Sequence, residues 1–576
     1  MLRLLNWSFV VGLSRGGPLQ PAGLESSPNQ KTILNNLIQQ QAVLERFLSQ
    51  SQGSGSSVSI HQDTSSSLQF SPNRRLPAIS RLLLGSITSS IIVSSPEQPH
   101  RTASHEPHRD GHISVEDAIA IIQEKNERLR AMLDSASLEL LLEKDEETNL
   151  ELLQLCEKPA DVVNLARAVY PGALSSSDES GNDAMWSVID TSETSSDTYT
   201  SGLRTRKAMA RFARFRALNI IIEDTALDSK NNPRAIKLSP KAMVLMRDEI
   251  DEERNLRTTG LCRGQDRKLR PIWVEWKEYE PPIFGLNELD PKIHARVRAL
   301  ATLLNDSNKP MELCAPQCLG YFDDLDPETG EPYCRFGLAF EVPTHIRASG
   351  GSLEPISLLE VIRSQASVSV MDRLELASKI ATSVLYLHAV NWLHKGLRSE
   401  SILFFDDETG KVNLQTPILS GFDYSRPALV EDMTEKPPEN VSEDIYRHPR
   451  VQGSGNRLAG YKKTYDIYSL GIVLLEIAYW KPIDSIMGIK ELHNARPSVV
   501  IKVRHRILIE EEHILDGVSQ ALDPIFQDVV KACIEGPLAF GLEDGANERD
   551  SVNAATLQAG FYRKVVRRLK RVMEGM

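Results

Sequence analysis

The 576-residue chain has few cysteines, no long apolar run and no surplus of positive charge, and each absence removes a class of protein. Six cysteines, at 156, 262, 314, 318, 334 and 533, are too scattered for a disulfide framework and fit reduced, buried thiols. Only Cys314 and Cys318 lie close in sequence, and without a second Cys or His pair at metal spacing they read as structural thiols, not zinc ligands. A net charge of −12 excludes a general nucleic-acid binder, because neutralising phosphates requires a basic face. The start, MLRLLNWSFVVGL, reaches Ser14 and Arg15 before it is long enough to span a bilayer. The following GGPLQPAG has the small residues of a cleavage zone, but Asn6 and Trp7 interrupt the uniform apolar stretch of a signal peptide, so a cytoplasmic protein is expected. Internal repeats are also missing, which leaves composition and periodicity to mark the domains.

What is present begins with helical spacing. Over 1–48, the segment ILNNLIQQQAVLERFL puts Ile33, Leu37, Leu44, Phe47 and Leu48 near one face. Residues 49–112 turn to Ser, Gln, Pro, Gly and His and cannot bury enough apolar surface to offset chain entropy, so this is expected to be a disordered insertion. Ser114 then caps a helix that opens with Glu116 and Asp117, and 113–174 reads as a helical hairpin. An acidic, hydroxyl-rich linker follows at 175–203, suited to phosphorylation, and a connector at 204–258 in which Ser239-Pro240 opens a helix. Strand-like IWVEWKEYE (272–280) and RFGLAFEVP (335–343) flank the helical VRALATLLN, and a long apolar-faced helix starts at Asp372. This order predicts a small sheet lobe at 259–343 and a larger helical lobe at 344–576.

Six short motifs occur in fixed order in these lobes: VEWK (274–277), FEVP (340–343), LYLHAVNWLHKGLRSESILFF (385–405), ILSGFDYSRP (418–427), YRHPR (446–450) and DIYSLGIVLLEIAYWKP (466–482). Their order and spacing resemble the protein kinases. The resemblance implies an α+β, two-lobed protein-kinase-like fold over about 260–576, preceded by an α-helical region with disordered insertions. It also implies roles. Lys277 would reach nucleotide phosphates, and the backbone at Glu341, Val342 and Pro343 would meet an adenine ring. His394, Leu397, Phe422 and Asp466 would be structural anchors, with Asp466 tying down the loop backbone. Leu393, Leu397, Ile402 and Leu403 are expected in the core.

The departures bear on function. In the loop His394, Lys395, Gly396, Ser401, glycine stands where the family has its proton-accepting aspartate and serine where it has a metal-holding asparagine. Gly421 replaces the aspartate of Asp-Phe-Gly. No Gly-x-Gly-x-x-Gly cradle precedes Lys277, and His294, Arg296 and Arg298 occupy the helix where a glutamate partner for the lysine is wanted. Losing acid–base positioning, worth about 100 to 10,000-fold, together with the metal makes ordinary turnover unexpected, and ATP and Mg²⁺ would bind weakly or not at all. Asp423 is the remaining candidate for a metal, because residues two apart on an extended strand share a face. Gly396 is expected to tolerate a side chain. The reading is therefore a pseudokinase, with an atypical active Ser/Thr kinase using Asp423 as the alternative.

A narrower resemblance rests on RTTGLCRGQ (257–265), VEWKEYE, LHKGL and VVKACIEG (529–536), which are similar to the kinase-like region of fungal proteins carrying a HeLo or HET-S-type (prion-inhibition and propagation) helical domain. RLLNWSFVVGL and the helices after it resemble the middle and end of such a domain, without its usual first helix. That resemblance implies signalling or scaffolding in self/non-self recognition (heterokaryon incompatibility) or cell death, with other proteins bound through the helical N-terminal region. A membrane-active executioner is the third reading, which the apolar content of this N-terminus does not favour.

Overall fold

The computed structural model describes residues 135–162, 165, 201–225, 236–246 and, apart from short gaps, 257–575. The expectations for 1–48, 49–112, the helix headed by Ser114 and nearly all of the 175–203 linker lie outside the described residues. The chain divides into two compact units, Met1–Asn149 and Leu150–Met576. In the first, the described part is the front of helix α1 (Ser135–Leu155), where Lys144 and Glu147 pair at 2.9 Å one turn apart.

The second unit is mixed α+β. After helix α2 (Ser201–Thr225) come β1 (Met243–Leu245), β2 (Arg257–Arg263), β3 (Leu269–Glu278), helix α3 (Pro291–Asn305), β4 (Cys318–Leu325) and β5 (Pro332–Glu341). These form a five-stranded sheet in the order β1-β2-β3-β5-β4 with antiparallel neighbours. Ser239-Pro240 opens only a single 3-10 turn, Pro240–Ala242, because the chain enters β1 at Met243. Strand β4 carries a glycine and two aspartates in CLGYFDDL and has no readable alternation, so nothing in the sequence separated it from a loop.

The period of two along β3 decides what faces what. Ile272 and Val274 join Cys262, Phe322 and Ala339 in a small cluster on one side of the sheet. Trp273 points the other way into the main core, with Phe336, Leu338, Phe340 and the α3 residues Val297, Leu300 and Leu304. Glu275 and Lys277 therefore share the face of Trp273.

The rest of the unit is helix-rich, with five short strands among its described residues. Among its elements, in chain order, are β6 (Ile356–Ser357), α4 (Val370–Ala389), β7 (Trp392–Leu393), β8 (Ile402–Phe404), β9 (Ile418–Leu419), β10 (Arg426–Pro427), α5 (Lys463–Tyr479), α6 (Pro524–Glu535) and α7 (Ser551–Phe561), with shorter helices between them. Ser369 caps α4 by accepting from the Asp372 N–H. Helix α5 is buried from Lys463 to Ala478, which explains why its sequence is apolar all round instead of striped. The carbonyls at the end of α4, which have no partner inside the helix, accept from side chains of earlier elements. Gln154 Nε2 donates to His388 O at 2.9 Å and Ala389 O at 2.7 Å, and Asn219 Nδ2 donates to Val390 O at 2.8 Å. Phe212 of α2 stacks on Tyr386 at 3.7 Å. Cys156, Cys262, Cys318 and Cys533 are buried and Cys314 and Cys334 partly so, all as free thiols.

Candidate functional site

The loop between β7 and β8 is held from beneath by one carboxylate. Asp466 is fully buried at the start of α5. Its Oδ2 accepts the His394 N–H at 2.8 Å and its Oδ1 the Lys395 N–H at 2.9 Å; Tyr461 Oη and His388 Nε2 add donors at 2.9 and 3.2 Å. Burial pushes its pKa up, but these hydrogen bonds outweigh that and hold the carboxyl below its ordinary value. Lys395 needs the support. It sits at φ +66°, a left-handed conformation that side-chain-bearing residues adopt at a cost, and the paired N–H bonds to Asp466 fix it there.

The other anchors are in place around it. His394 is buried, its Nδ1 accepts the Gly396 N–H at 3.2 Å, and its ring lies 4.6 Å from that of Phe422. Burial lowers its pKa to about 4, so it is neutral at physiological pH. Leu393, Leu397, Ile402 and Leu403 are all buried. Ser425 Oγ donates to His394 O at 2.7 Å and closes the ring of contacts.

On the upper side of the loop, the three positions that would hold acceptors in a phosphotransferase pack against one another. A Cβ on Gly396 would lie 2.6 Å from the carbonyl oxygen of Gly421, and one on Gly421, itself at φ +76°, would lie 2.9 Å from Ser401 Cβ. The expectation that Gly396 tolerates a side chain is corrected by this contact, since real Cβ atoms do not come so close to a backbone oxygen. Ser401 is not a free ligand either: its Oγ accepts the Arg398 N–H at 2.9 Å and donates to Arg398 O at 2.7 Å.

Lys277 is buried on β3 with its Nζ 3.9 Å from the centre of the Tyr424 ring. Burial first, then the nearby Arg296 guanidinium, lower its pKa to about 7, partly offset by Asp423. The arginine on α3, where a glutamate would orient the lysine, thus acts against its charge. Asp423 is half-buried, and burial raises its pKa against the pull of Arg398 and Lys277. Glu443 and Glu275 lie near enough to add to that rise. Among the described residues no group of three or more His, Cys, Asp and Glu side chains could hold a metal ion. At the end of β5, Glu341 N–H donates to Gln317 O at 2.9 Å and Val342 N–H to Pro271 O at 3.0 Å, while the Glu341 carboxylate pairs with Arg347 at 2.9 Å.

Two residues that the sequence reading passed over complete the site. Glu275, between sheet and loop, accepts from Arg257 Nε at 3.3 Å, from the Ser420 hydroxyl, and from the Gly421 N–H at 3.0 Å. Arg257, its cross-strand partner on β2, also donates Nη2 to Glu400 O at 2.8 Å and to Ser420 Oγ at 3.2 Å. A carboxylate set between Val274 and Trp276, two residues before Lys277, was the available signal.

Comparison with known proteins adds a coarse assignment. Residues 339–574 match a family described as a domain of unknown function (DUF7580). The chain is 29% identical over 117 residues to a probable LIM domain-containing serine/threonine-protein kinase of Dictyostelium discoideum, covering 20% of this chain and 16% of that protein. It is 32% identical over 105 residues to a second such protein from the same organism, covering 18% of this chain and 9% of the relative. Part of the chain is therefore distantly similar to protein kinases. Among the described residues no helix is long and apolar enough to cross a membrane.

Proposed function

We propose that the region from 259 to the end is a two-lobed protein-kinase-like unit that has given up phosphotransfer and works as a pseudokinase, a signalling or scaffold module. One observation carries the reading: Asp466 holds the backbone of His394 and Lys395 in a defined loop while Gly396, Ser401 and Gly421 fill that loop's reactive side with contacts instead of acceptors. The antiparallel sheet with helix α3, followed by the helix-rich part, supports the lobed arrangement, and the distant similarity to kinases supports the family. A cytoplasmic role in fungal self/non-self recognition or cell death, with protein partners bound through the helical N-terminal region, extends this reading on motif resemblance alone.

Magnesium is not matched by the groups present. Asp423 is flanked by Lys277 and Arg398, Gly421 and Ser401 supply no second side-chain ligand, and the nearby carboxylates Glu443 and Glu275 are already held by Arg398 and Arg447 and by Arg257 and the Gly421 N–H. The test is phosphotransfer from radiolabelled ATP to general protein substrates and to the chain itself, with magnesium or manganese. No transfer above buffer is the expected result. Transfer abolished by Asp423→Ala and by Lys277→Ala would replace the pseudokinase with an atypical active kinase.

A further inference from the structure

We propose that Arg257 and Glu275 form a clasp that fills the slot between sheet and loop, so that this chain is closed to adenine nucleotides by its own side chains. The proposal rests on the kinase-like reading above, which is the source of the expectation of ATP, and concerns a property that reading leaves open.

The geometry is specific. Both residues stand on the sheet, opposite each other in the β2–β3 register, and both reach the loop side, to Glu400 O, Ser420 Oγ and the Gly421 N–H. These bonds join positions 143 to 163 residues apart, so they are tertiary braces and not local turns. Glu275 is only 5% exposed, and its carboxylate is satisfied from three directions, with one charge-assisted bond from arginine. A planar base entering here would have to displace that carboxylate and leave both it and the arginine without their partners, which a neutral ring cannot compensate.

The groups a nucleotide would use are also engaged or missing. The N–H groups of Glu341 and Val342 already donate to Gln317 O and Pro271 O. Pro343 has no N–H to offer. On the phosphate side Lys277 lies over the Tyr424 ring, and Gly396, Ser401 and Gly421 provide neither a metal ligand nor space for one. The residues present thus fit a brace and do not fit ATP.

Two measurements test this on the full chain. Titration calorimetry with ATP and with ADP, each with and without magnesium chloride, should give no saturable binding up to about 1 mM, the upper end of ordinary substrate affinities. Saturable binding without phosphotransfer would overturn the clasp and leave the pseudokinase reading intact; binding with phosphotransfer would overturn both. Peptide-resolved hydrogen exchange then compares wild type with Glu275→Ala and with the double variant Arg257→Ala/Glu275→Ala. The Gly421 amide loses its acceptor, so peptides covering 420–423 should exchange about tenfold faster while those from the middle of α5 stay unchanged. Unchanged exchange at 420–423 in a folded variant would overturn the clasp. Where neither variant folds, the wild-type titration decides alone.

Discussion

The two sides of the loop from Trp392 to Ser401 are built on opposite terms. Beneath it, Asp466 makes four polar contacts to backbone and side chains, and Lys463 of the same helix reaches Gln154 Oε1 at 2.7 Å and Asn391 Oδ1 at 2.6 Å. Above it, two glycines and a serine bonded to the Arg398 backbone meet in close packing, and Glu275 crosses from the sheet to hold Gly421. The underside has the groups needed to hold a strained backbone; on the upper side Gly396 and Gly421 carry no side chain and the Ser401 hydroxyl is bonded to the Arg398 backbone. Architecture and reactivity in such a loop are thus separable, because the first depends on buried N–H partners and the second on exposed acceptors.

Breaking the underside should have the largest effect. Asp466→Ala removes the acceptor of two buried N–H groups, a tyrosine and a histidine, and should destabilise the chain by about 3–5 kcal/mol in chemical denaturation. A loss below about 1 kcal/mol would mean the loop is held by other contacts. Leu397→Ala, at a core position 2% exposed, should cost about 2–5 kcal/mol, depending on how far the surroundings collapse. The upper side should respond less but measurably. Gly396→Ala places a methyl 2.6 Å from the Gly421 carbonyl oxygen and should cost about 1–3 kcal/mol, and the triple change Gly396→Asp, Ser401→Asn, Gly421→Asp should lose soluble expression without gaining activity. A neutral Gly396→Ala would show that the 421 turn yields easily and would weaken the contrast between the two sides.

The smallest expected effect is a pH dependence. Folding holds the Lys277 pKa at about 7 against an ordinary 10.5. Between those values the unfolded chain binds a proton that the folded chain releases, so the lysine's contribution to stability increases as pH rises from about 7 to about 10.5. Lys463, lowered to about 7 by burial and Arg216, acts in the same direction. Lys277→Met should make the rise of stability with pH shallower in urea denaturation at pH 7, 8 and 9, with the remaining slope left to Lys309, Lys395 and Lys463, whose pKa values burial also lowers. An unchanged slope would mean that Lys277 keeps its proton in the fold.

The sequence by itself determined the elements whose periods are long and clean: the α4 helix, β3, β5 and α3, and the order of the kinase-like motifs along the chain. These follow from local rules, since an apolar stripe at 3.6 or an alternation at two selects its own backbone. It also contained the identities Gly396, Ser401 and Gly421. Only the tertiary structure decided what those residues pack against. Gly396 and Gly421 are 25 positions apart and touch because the chain turns back through β8 and β9. Glu275 was legible as a carboxylate on a strand, but its role depends on which sheet face meets the loop. That was set when Trp273, on the same face, entered the main core and carried Glu275 and Lys277 inward with it.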